Sequence, residues 1–196
     1  MANDASGVLW RRLRYMLSPQ LDIYKHLAGI VEGFSVLEIG FGTGTGTLQL
    51  ASRAKHVIAT EIDPAAVEFA SNVFPLPNVT WQVSDMTSKV MYPNREVFDA
   101  VICLEVLEHV PDYQTALENL RECAKGGILY ISGPNANADL RKNDIHEREW
   151  TAQEFHNALR RYFGQVKLFD YTLRKELGTD TRATPLLAVC WNEENG

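Results

Sequence analysis

Residues 36–46 read Val-Leu-Glu-Ile-Gly-Phe-Gly-Thr-Gly-Thr-Gly, an apolar run followed by four glycines at alternate positions. The apolar run predicts a short buried strand, and the residues from Thr45 onward predict a helix, so the glycines lie in the connecting loop. Glycines let a backbone come close to a ligand, and the start of a helix offers free N–H groups. Ligands of open α/β sheets lie beyond the carboxyl ends of the strands. We therefore predict that Gly40, Gly42 and Gly44 form a ligand-binding loop.

Two common nucleotide-binding fingerprints do not fit this loop. The dinucleotide pattern G-x-G-x-x-G fails because its sixth position is Thr45 when counted from Gly40 and Thr47 when counted from Gly42. The Walker A pattern ends in Gly-Lys-Ser/Thr, and no lysine follows these glycines. The pattern that remains is E-x-G-x-G-x-G, with Glu38 two residues before the first glycine.

Apolar runs alternate with helix-like segments along the rest of the chain. The helix after the second strand begins at Asp63-Pro64, and a later helix begins with the capping box Thr151 to Glu154. Strands that alternate with helices predict a parallel sheet covered by helices on both faces. We expect an α/β fold, a doubly wound, mostly parallel, seven-stranded sheet preceded by N-terminal helices. The predicted strands cover residues 36–39, 56–61, 79–84, 97–104, 128–132, 165–173 and 186–191.

Length and composition limit the class of protein. A chain of 196 residues is the size of one domain, in which we expect a helical cap at 1–33 and the α/β domain at 34–196. The net charge of −6 argues against a dedicated nucleic-acid module, because such modules are usually basic. We expect no membrane span, since no apolar run approaches about 18 residues, and no secretory signal. Three scattered cysteines fit neither a disulfide framework nor a zinc site and favour a cytoplasmic location.

Five segments in this order resemble the motifs of the class I S-adenosylmethionine-dependent methyltransferases, above all their small single-domain members of the ubiquinone-pathway type. The resemblance covers residues 35–135 and implies the Rossmann-like methyltransferase fold, with S-adenosylmethionine as cofactor. The segments are VLEIGFGTGTGTLQLA at 36–51, VIATEIDPAAVEFA at 57–70, VTWQVSDM at 79–86, FDAVICLEVLEHVPD at 98–112 and GGILYISGPN at 126–135.

The resemblance implies roles for individual residues toward this cofactor. It assigns the methionyl ammonium to Glu38 and the adenine amino group to Asp85. The ribose diol needs a bidentate acceptor at the end of the second strand, about twenty residues beyond the glycines, and Glu61 stands there. Asp63 is a rival for the diol but is better explained as the cap of the helix that starts at Pro64. The full set expected to bind the cofactor is Glu38, Gly40, Gly42, Gly44, Glu61, Ile62, Asp85, Met86 and Leu104.

A second group of residues follows the fourth strand. If residues 105–109 are helical, Glu105, Glu108 and His109 share one face at spacings of three and four residues. With His146 from the loop after the fifth strand they could hold Mn, Mg, Fe or Zn, and the mixed donor set selects no one metal. The pattern E-x-x-E-H with a later histidine is similar to metal-dependent small-RNA 3′-terminal 2′-O-methyltransferases and to ubiquinone-pathway O-methyltransferases. A metal could there lower the pKa of an acceptor hydroxyl.

Other interpretations of this group stay open at this point. His146 and His109 could act as catalytic bases without a metal, or His146 could be structural. The charges of residues 139–161, five acidic against five basic, predict a solvated surface for that stretch.

We expect a methyltransferase that uses S-adenosylmethionine and transfers its methyl group to an oxygen of a small-molecule acceptor. The donor is already activated, so the protein mainly positions the acceptor for an in-line displacement. Two alternatives are a metal-dependent RNA 2′-O-methyltransferase, which the net charge disfavours, and a protein that binds S-adenosylmethionine without catalysis.

Overall fold

A computed structural model describes residues 20–88, 97–138 and 146–192 of the chain. It divides into two compact units, Met1–Asp85 and Met86–Gly196. Residues 1–19 of the predicted helical cap lie outside the described residues, whereas residues 20–30 of that cap form a helix. Among the described residues, no helix is both long enough and apolar enough to cross a membrane. The expected cytoplasmic location stays a prediction.

Strands and helices alternate in the first unit. They are α1 (Gln20–Ile30), β1 (Ser35–Ile39), α2 (Thr45–Ala51), β2 (His56–Glu61), α3 (Pro64–Val73) and β3 (Val79–Val83).

The second unit contains three helices or helical turns and five strands among its described residues. They are β4 (Ala100–Leu104), a 3-10 turn (Leu107–His109), α4 (Tyr113–Cys123), β5 (Ile128–Gly133), α5 (Ala152–Arg160), β6 (Gln165–Phe169), β7 (Glu176–Leu177) and β8 (Leu186–Trp191).

The sheet of the first unit is parallel, in the order β3-β2-β1. Ser35 pairs with His56 and Val57 with Val79, so the three strands run side by side and end at the same edge. Strand β1 and the middle of β2 are buried, which explains why both are continuous apolar runs rather than alternating ones. The loop of alternating glycines and the acid Glu61 therefore both leave the sheet at its carboxyl edge.

The sheet of the second unit is mixed, in the order β4-β5-β8-β6-β7. Strand β4 pairs with β5 in parallel, whereas β8 is antiparallel to both of its neighbours, β5 and β6. All five residues of β4 are buried, and five of the six in β5. The expected α/β class with a mostly parallel sheet is confirmed.

The described strands number eight, whereas seven were expected. The predicted strand at 165–173 ends at Phe169, because the Asp170 carboxylate accepts hydrogen bonds from both the backbone N–H and the hydroxyl of Thr172. This side-chain turn reverses the chain, and residues 176–177 return as β7, antiparallel to β6. The predicted strand at 97–104 is also shorter, because it begins only at Ala100.

Two helix starts follow from local capping, as predicted. The Asp63 carboxylate accepts from the backbone N–H of Ala65 at 2.9 Å, and Pro64 occupies the first helical position. Thr151 and Glu154 form the reciprocal capping box at the start of α5. Asp63 thus caps a helix.

Candidate functional site

The glycine loop is tied to the end of β2 by its backbone. Both Gly40 and Phe41 donate their N–H groups to the carbonyl of Thr60, at 2.8 and 3.2 Å. The N–H of Gly42 donates to Oε2 of Glu61 at 3.0 Å, and the N–H of Ile62 donates to Oε1 at 2.8 Å. Glu61 is therefore a fixed carboxylate that joins the two predicted cofactor segments.

The loop glycines serve different purposes. A Cβ on Gly42 would meet nothing within 4 Å, although its φ of +60° is left-handed. A Cβ on Gly44 would lie 3.1 Å from the Trp81 ring, and one on Gly46 would lie 2.5 Å from the Tyr24 ring. Packing against aromatic rings therefore requires Gly44 and Gly46, whereas the space over Gly42 stays open.

Glu38 is a buried acid at the end of β1. It is fully buried, and neither of its carboxylate oxygens has a hydrogen-bond partner of ordinary geometry among the described residues. Burial raises the pKa of Glu38 to about 7, against a smaller lowering by the nearby Thr47 and Tyr24 side chains. Unpartnered buried carboxylates are costly, which makes this group a candidate for binding a cation.

The remaining predicted cofactor residues lie in both units. Ile62 is 64% exposed just past the end of β2. Asp85 is exposed just past the end of β3, where the N–H of Ser84 donates to the Glu61 carbonyl. Met86 and Leu104 are buried residues of the second unit, Leu104 as the last residue of β4.

Glu105 follows β4 and departs from the sequence prediction. The condition that residues 105–109 are helical is not met, because the helical turn covers only residues 107–109 and Glu105 has a left-handed φ of 55°. Its Oε1 accepts from the Tyr171 hydroxyl at 2.6 Å and from the Ser132 hydroxyl at 2.7 Å. Burial raises the pKa of Glu105, and these two hydrogen bonds partly oppose the shift. Glu105 therefore lies outside the group of donors described next.

Three other predicted residues of the second unit do come together. One possible ligand atom from each of Glu108, His109 and His146 lies within 4.8 Å of the other two. We call these three residues the Glu-His-His cluster. The ring centroids of the two histidines are 5.0 Å apart, and Nε2 of His109 lies 4.0 Å from Oε1 of Glu108.

Glu108 gives the cluster a buried acid. It is 1% exposed, and its Oε2 has no hydrogen-bond partner among the described residues. Burial, and then the charge of Glu105, raise the pKa of Glu108 to about 8. Two imidazoles and a carboxylate are suitable ligands for a divalent transition metal. The residues present therefore fit a metal ion.

The segment that carries His146 is tied to the cluster by backbone bonds. The N–H groups of Glu147 and Arg148 both donate to the Glu108 carbonyl, at 2.9 and 3.2 Å. Nδ1 of His146 lies 2.7 Å from Oε1 of Glu149. Sequence analysis had placed Glu149 in a solvated stretch, and the signal that could have singled it out is its position three residues after a candidate ligand.

Ser132 and Tyr171 were also missed. They hold Glu105 from 27 and 66 residues away, and no local pattern marks such a contact.

Part of the chain is similar in sequence to known methyltransferases. A family model described as a methyltransferase domain matches residues 37–131. A ubiquinone biosynthesis O-methyltransferase of Coxiella burnetii is 30% identical over 110 residues, which are 55% of this chain and 46% of that protein. An (S)-coclaurine N-methyltransferase of Thalictrum flavum is 30% identical over 117 residues, 57% of this chain and 32% of that protein. The chain thus spans about a third to a half of the length of these relatives.

The fold is also that of a solved structure. The TehB-like S-adenosylmethionine-dependent methyltransferase of Corynebacterium glutamicum aligns over 94% of both chains with a TM-score of 0.70, at 18% identity. That likeness concerns the fold, whereas the family model and the two curated relatives match the sequence. Residues 37–131 of this chain match the methyltransferase-domain family, and its fold is the Rossmann-like fold of class I S-adenosylmethionine-dependent methyltransferases.

Proposed function

We propose that this chain transfers a methyl group from S-adenosylmethionine to a hydroxyl oxygen of a small molecule. The observation that carries the cofactor assignment is the buried carboxylate of Glu38, which has no hydrogen-bond donor of ordinary geometry among the described residues and precedes an open glycine loop. The observation that supports an oxygen acceptor is the Glu-His-His cluster. Glu38 and the glycine loop belong to the first unit, and the Glu-His-His cluster belongs to the second unit.

Glu38 is suited to an ammonium ligand. Its carboxylate is shielded from water and lacks a hydrogen-bond donor of ordinary geometry among the described residues. A methionyl ammonium supplies both a positive charge and N–H donors, and bonds of this charge-assisted kind are the strong ones. A neutral ligand would leave the cost of ionising a buried acid uncompensated.

Glu61 has the capacity to bind a ribose diol while it holds the loop. An ionised carboxylate offers about four acceptor sites on its two oxygens. The N–H groups of Gly42 and Ile62 take one site on each oxygen, and the N–H of Asp63 makes only a long contact of 3.4 Å. Sites for two hydroxyl groups remain. The open space over Gly42 lets a ligand lie against the loop backbone.

We propose that Glu108, His109 and His146 hold a divalent metal, with Glu105 outside the ligand set. Such an ion supplies Lewis acidity that lowers the pKa of a hydroxyl acceptor. In that arrangement the backbone bonds from Glu147 and Arg148 to the Glu108 carbonyl hold the segment of His146 beside the turn that carries His109. Without a metal, the same His109 and His146 side chains are the candidate bases that accept the hydroxyl proton.

A second candidate function is methylation of a ribose hydroxyl at an RNA end. The proximity of His146 to Glu108 and His109 supports this candidate, although Glu105 of the E-x-x-E-H pattern lies outside the cluster. The net charge of −6 disfavours this acceptor, because RNA binding draws on a basic surface.

Methyl transfer itself tests the proposal. The full chain is incubated with S-adenosylmethionine labelled in its methyl group, with phenols, vicinal diols, amines or a short RNA, in chelator or with added Mn or Mg. We expect label in a small hydroxyl compound, loss of transfer in chelator, and recovery on adding metal. Full transfer in chelator rejects the metal.

Label in amines alone rejects the oxygen assignment. Label in RNA, with an affinity that falls steeply with salt, favours the second candidate, since counterion release makes RNA binding salt-dependent. Binding of the cofactor with no transfer to any class of acceptor indicates a protein that binds without catalysis.

A further inference from the structure

We propose that Glu149 is a positioning residue, which holds the His146 imidazole in the tautomer and orientation that present Nε2 as a metal ligand. The inference rests on the metal site proposed above. It concerns a residue that the sequence analysis placed on a solvated surface.

The contact itself is short and sheltered. Nδ1 of His146 lies 2.7 Å from Oε1 of Glu149, and the two side chains are 13% and 20% exposed. An ionised carboxylate can only accept a hydrogen bond, so Nδ1 carries the proton in this pair. The neutral ring then has its lone pair on Nε2, the nitrogen that can bind a metal. A carboxylate on the far nitrogen of a ligating histidine also raises the basicity of that ligand.

Glu149 cannot easily turn away, because the backbone on both sides of it is held. On one side, the N–H groups of Glu147 and Arg148 donate to the carbonyl of Glu108, a member of the cluster. On the other side, Trp150 is buried and its carbonyl accepts from the N–H of Ala136 at 2.8 Å. Both ends of the His146–Glu149 pair are thus anchored within the second unit.

Side-chain packing adds a further restraint on this segment. The Arg148 guanidinium lies 4.9 Å from the centre of the Tyr113 ring, and the same ring packs edge-on against Trp150 at 5.6 Å. These contacts hold the side chains that flank Glu149 against the Tyr113 ring. The pair is therefore preorganised, unlike a surface ion pair between two mobile side chains.

Glu147 provides a matched control. It lies two residues from Glu149 in the same segment, and its side chain is exposed. Only its backbone N–H contacts the cluster, through the Glu108 carbonyl, and a side-chain substitution keeps that bond. A general disturbance of the segment would affect variants at both positions, whereas the proposed role belongs to Glu149.

Two measurements on the full chain test the proposal. The first is calorimetric titration of Mn into wild type, E149Q, E149A and E147A. We expect affinity to fall about 10- to 100-fold in E149A, which is the range found when such outer carboxylates are removed. E149Q keeps a hydrogen-bond acceptor without the charge, so its Mn affinity should lie between those of wild type and E149A. The Mn affinity of E147A should match that of wild type.

The second measurement needs no metal. Long-range proton–nitrogen NMR of the histidine rings reports which nitrogen carries the proton. We expect His146 to be protonated on Nδ1 in wild type and E147A, and to become a mixture of tautomers in E149A. Circular dichroism verifies the fold, and E149Q, nearly the same in shape, gives the answer if E149A does not fold.

The outcomes separate the two proposals. If wild type binds no Mn, the metal site is rejected, and the tautomer of His146 still decides whether Glu149 positions the ring. If wild type binds Mn and E149A and E149Q bind it within twofold of E147A, with an unchanged tautomer, the role of Glu149 is overturned and the metal site stands.

Discussion

Replacing Gly42 by alanine separates the ligand-binding purpose of the glycine loop from its backbone geometry. Gly42 has a φ of +60°, and its added Cβ would meet nothing within 4 Å. The only destabilisation expected in G42A is therefore that of an alanine in a left-handed conformation. That conformation costs about 1–2 kcal/mol. Gly33 is a matched control, because its φ is +78° and its added Cβ also meets nothing within 4 Å. We expect G42A and G33A to lose the same unfolding free energy in urea.

Cofactor affinity distinguishes the two variants. The Cβ of G42A fills the space in which the proposal places the ligand, and it keeps that ligand off the loop backbone. A lost hydrogen bond to a charged group is worth about 1.5–3 kcal/mol, which corresponds to a weakening of about 10- to 150-fold. Calorimetry with S-adenosylmethionine should show this weakening in G42A and none in G33A. Equal affinities in the two variants would refute the loop model.

Three further predictions concern acids and a helix cap. Glu61→Ala should keep the far-UV circular dichroism of the fold but weaken S-adenosylmethionine binding by at least about tenfold, since it removes charged acceptors; unchanged affinity removes Glu61 from the site. The pKa of Glu38 is about 7 in the folded chain against an ordinary 4.5, so the folded chain keeps a proton that the unfolded chain releases between these values. As the pH rises from 4.5 to about 7, the unfolding free energy of wild type should therefore fall by about 3 kcal/mol relative to that of Glu38→Gln. Urea denaturation at a series of pH values measures both free energies, and the same pH dependence in the two proteins would contradict the burial argument. Thr151→Ala should lower the unfolding free energy by about 1 kcal/mol through loss of the α5 cap, and a stability equal to wild type would show that the cap contributes nothing.

The parts of the fold that sequence predicts are those that depend on neighbours in the chain. The caps at Asp63 and Thr151 act over two or three residues, so a short pattern contains the whole interaction. The apolar runs of β1 and β4 are visible because parallel strands are buried on both faces. The same holds for the glycine loop and for Glu61 at the end of β2.

The features that sequence reasoning missed depend on contacts between distant residues or on a single side-chain turn. The sequence spacing of Glu105 from Glu108 and His109 fits a helix, but the backbone of Glu105 is left-handed. Its carboxylate accepts hydrogen bonds from Ser132 and Tyr171, which are distant in sequence. The additional strand, β7, has two residues and forms because the Asp170 turn directs the chain back onto β6. Such short elements have no periodicity to detect.

The glycines show a related limit. Their alternate spacing in sequence does not distinguish one glycine from another. The structure does, because the space over Gly42 is open whereas Gly44 and Gly46 face aromatic rings. A pattern in sequence therefore identifies the loop without saying which of its glycines faces a ligand.

Calorimetric titration of the full chain with S-adenosylmethionine, its demethylated product and NAD tests the central claim most directly. The buried Glu38 carboxylate and the fixed Glu61 carboxylate predict saturable binding of the first two at one site per chain. We expect no comparable binding of NAD, because the glycine loop lacks the dinucleotide fingerprint. Saturation by NAD, or no heat with either methionine derivative, would contradict the account.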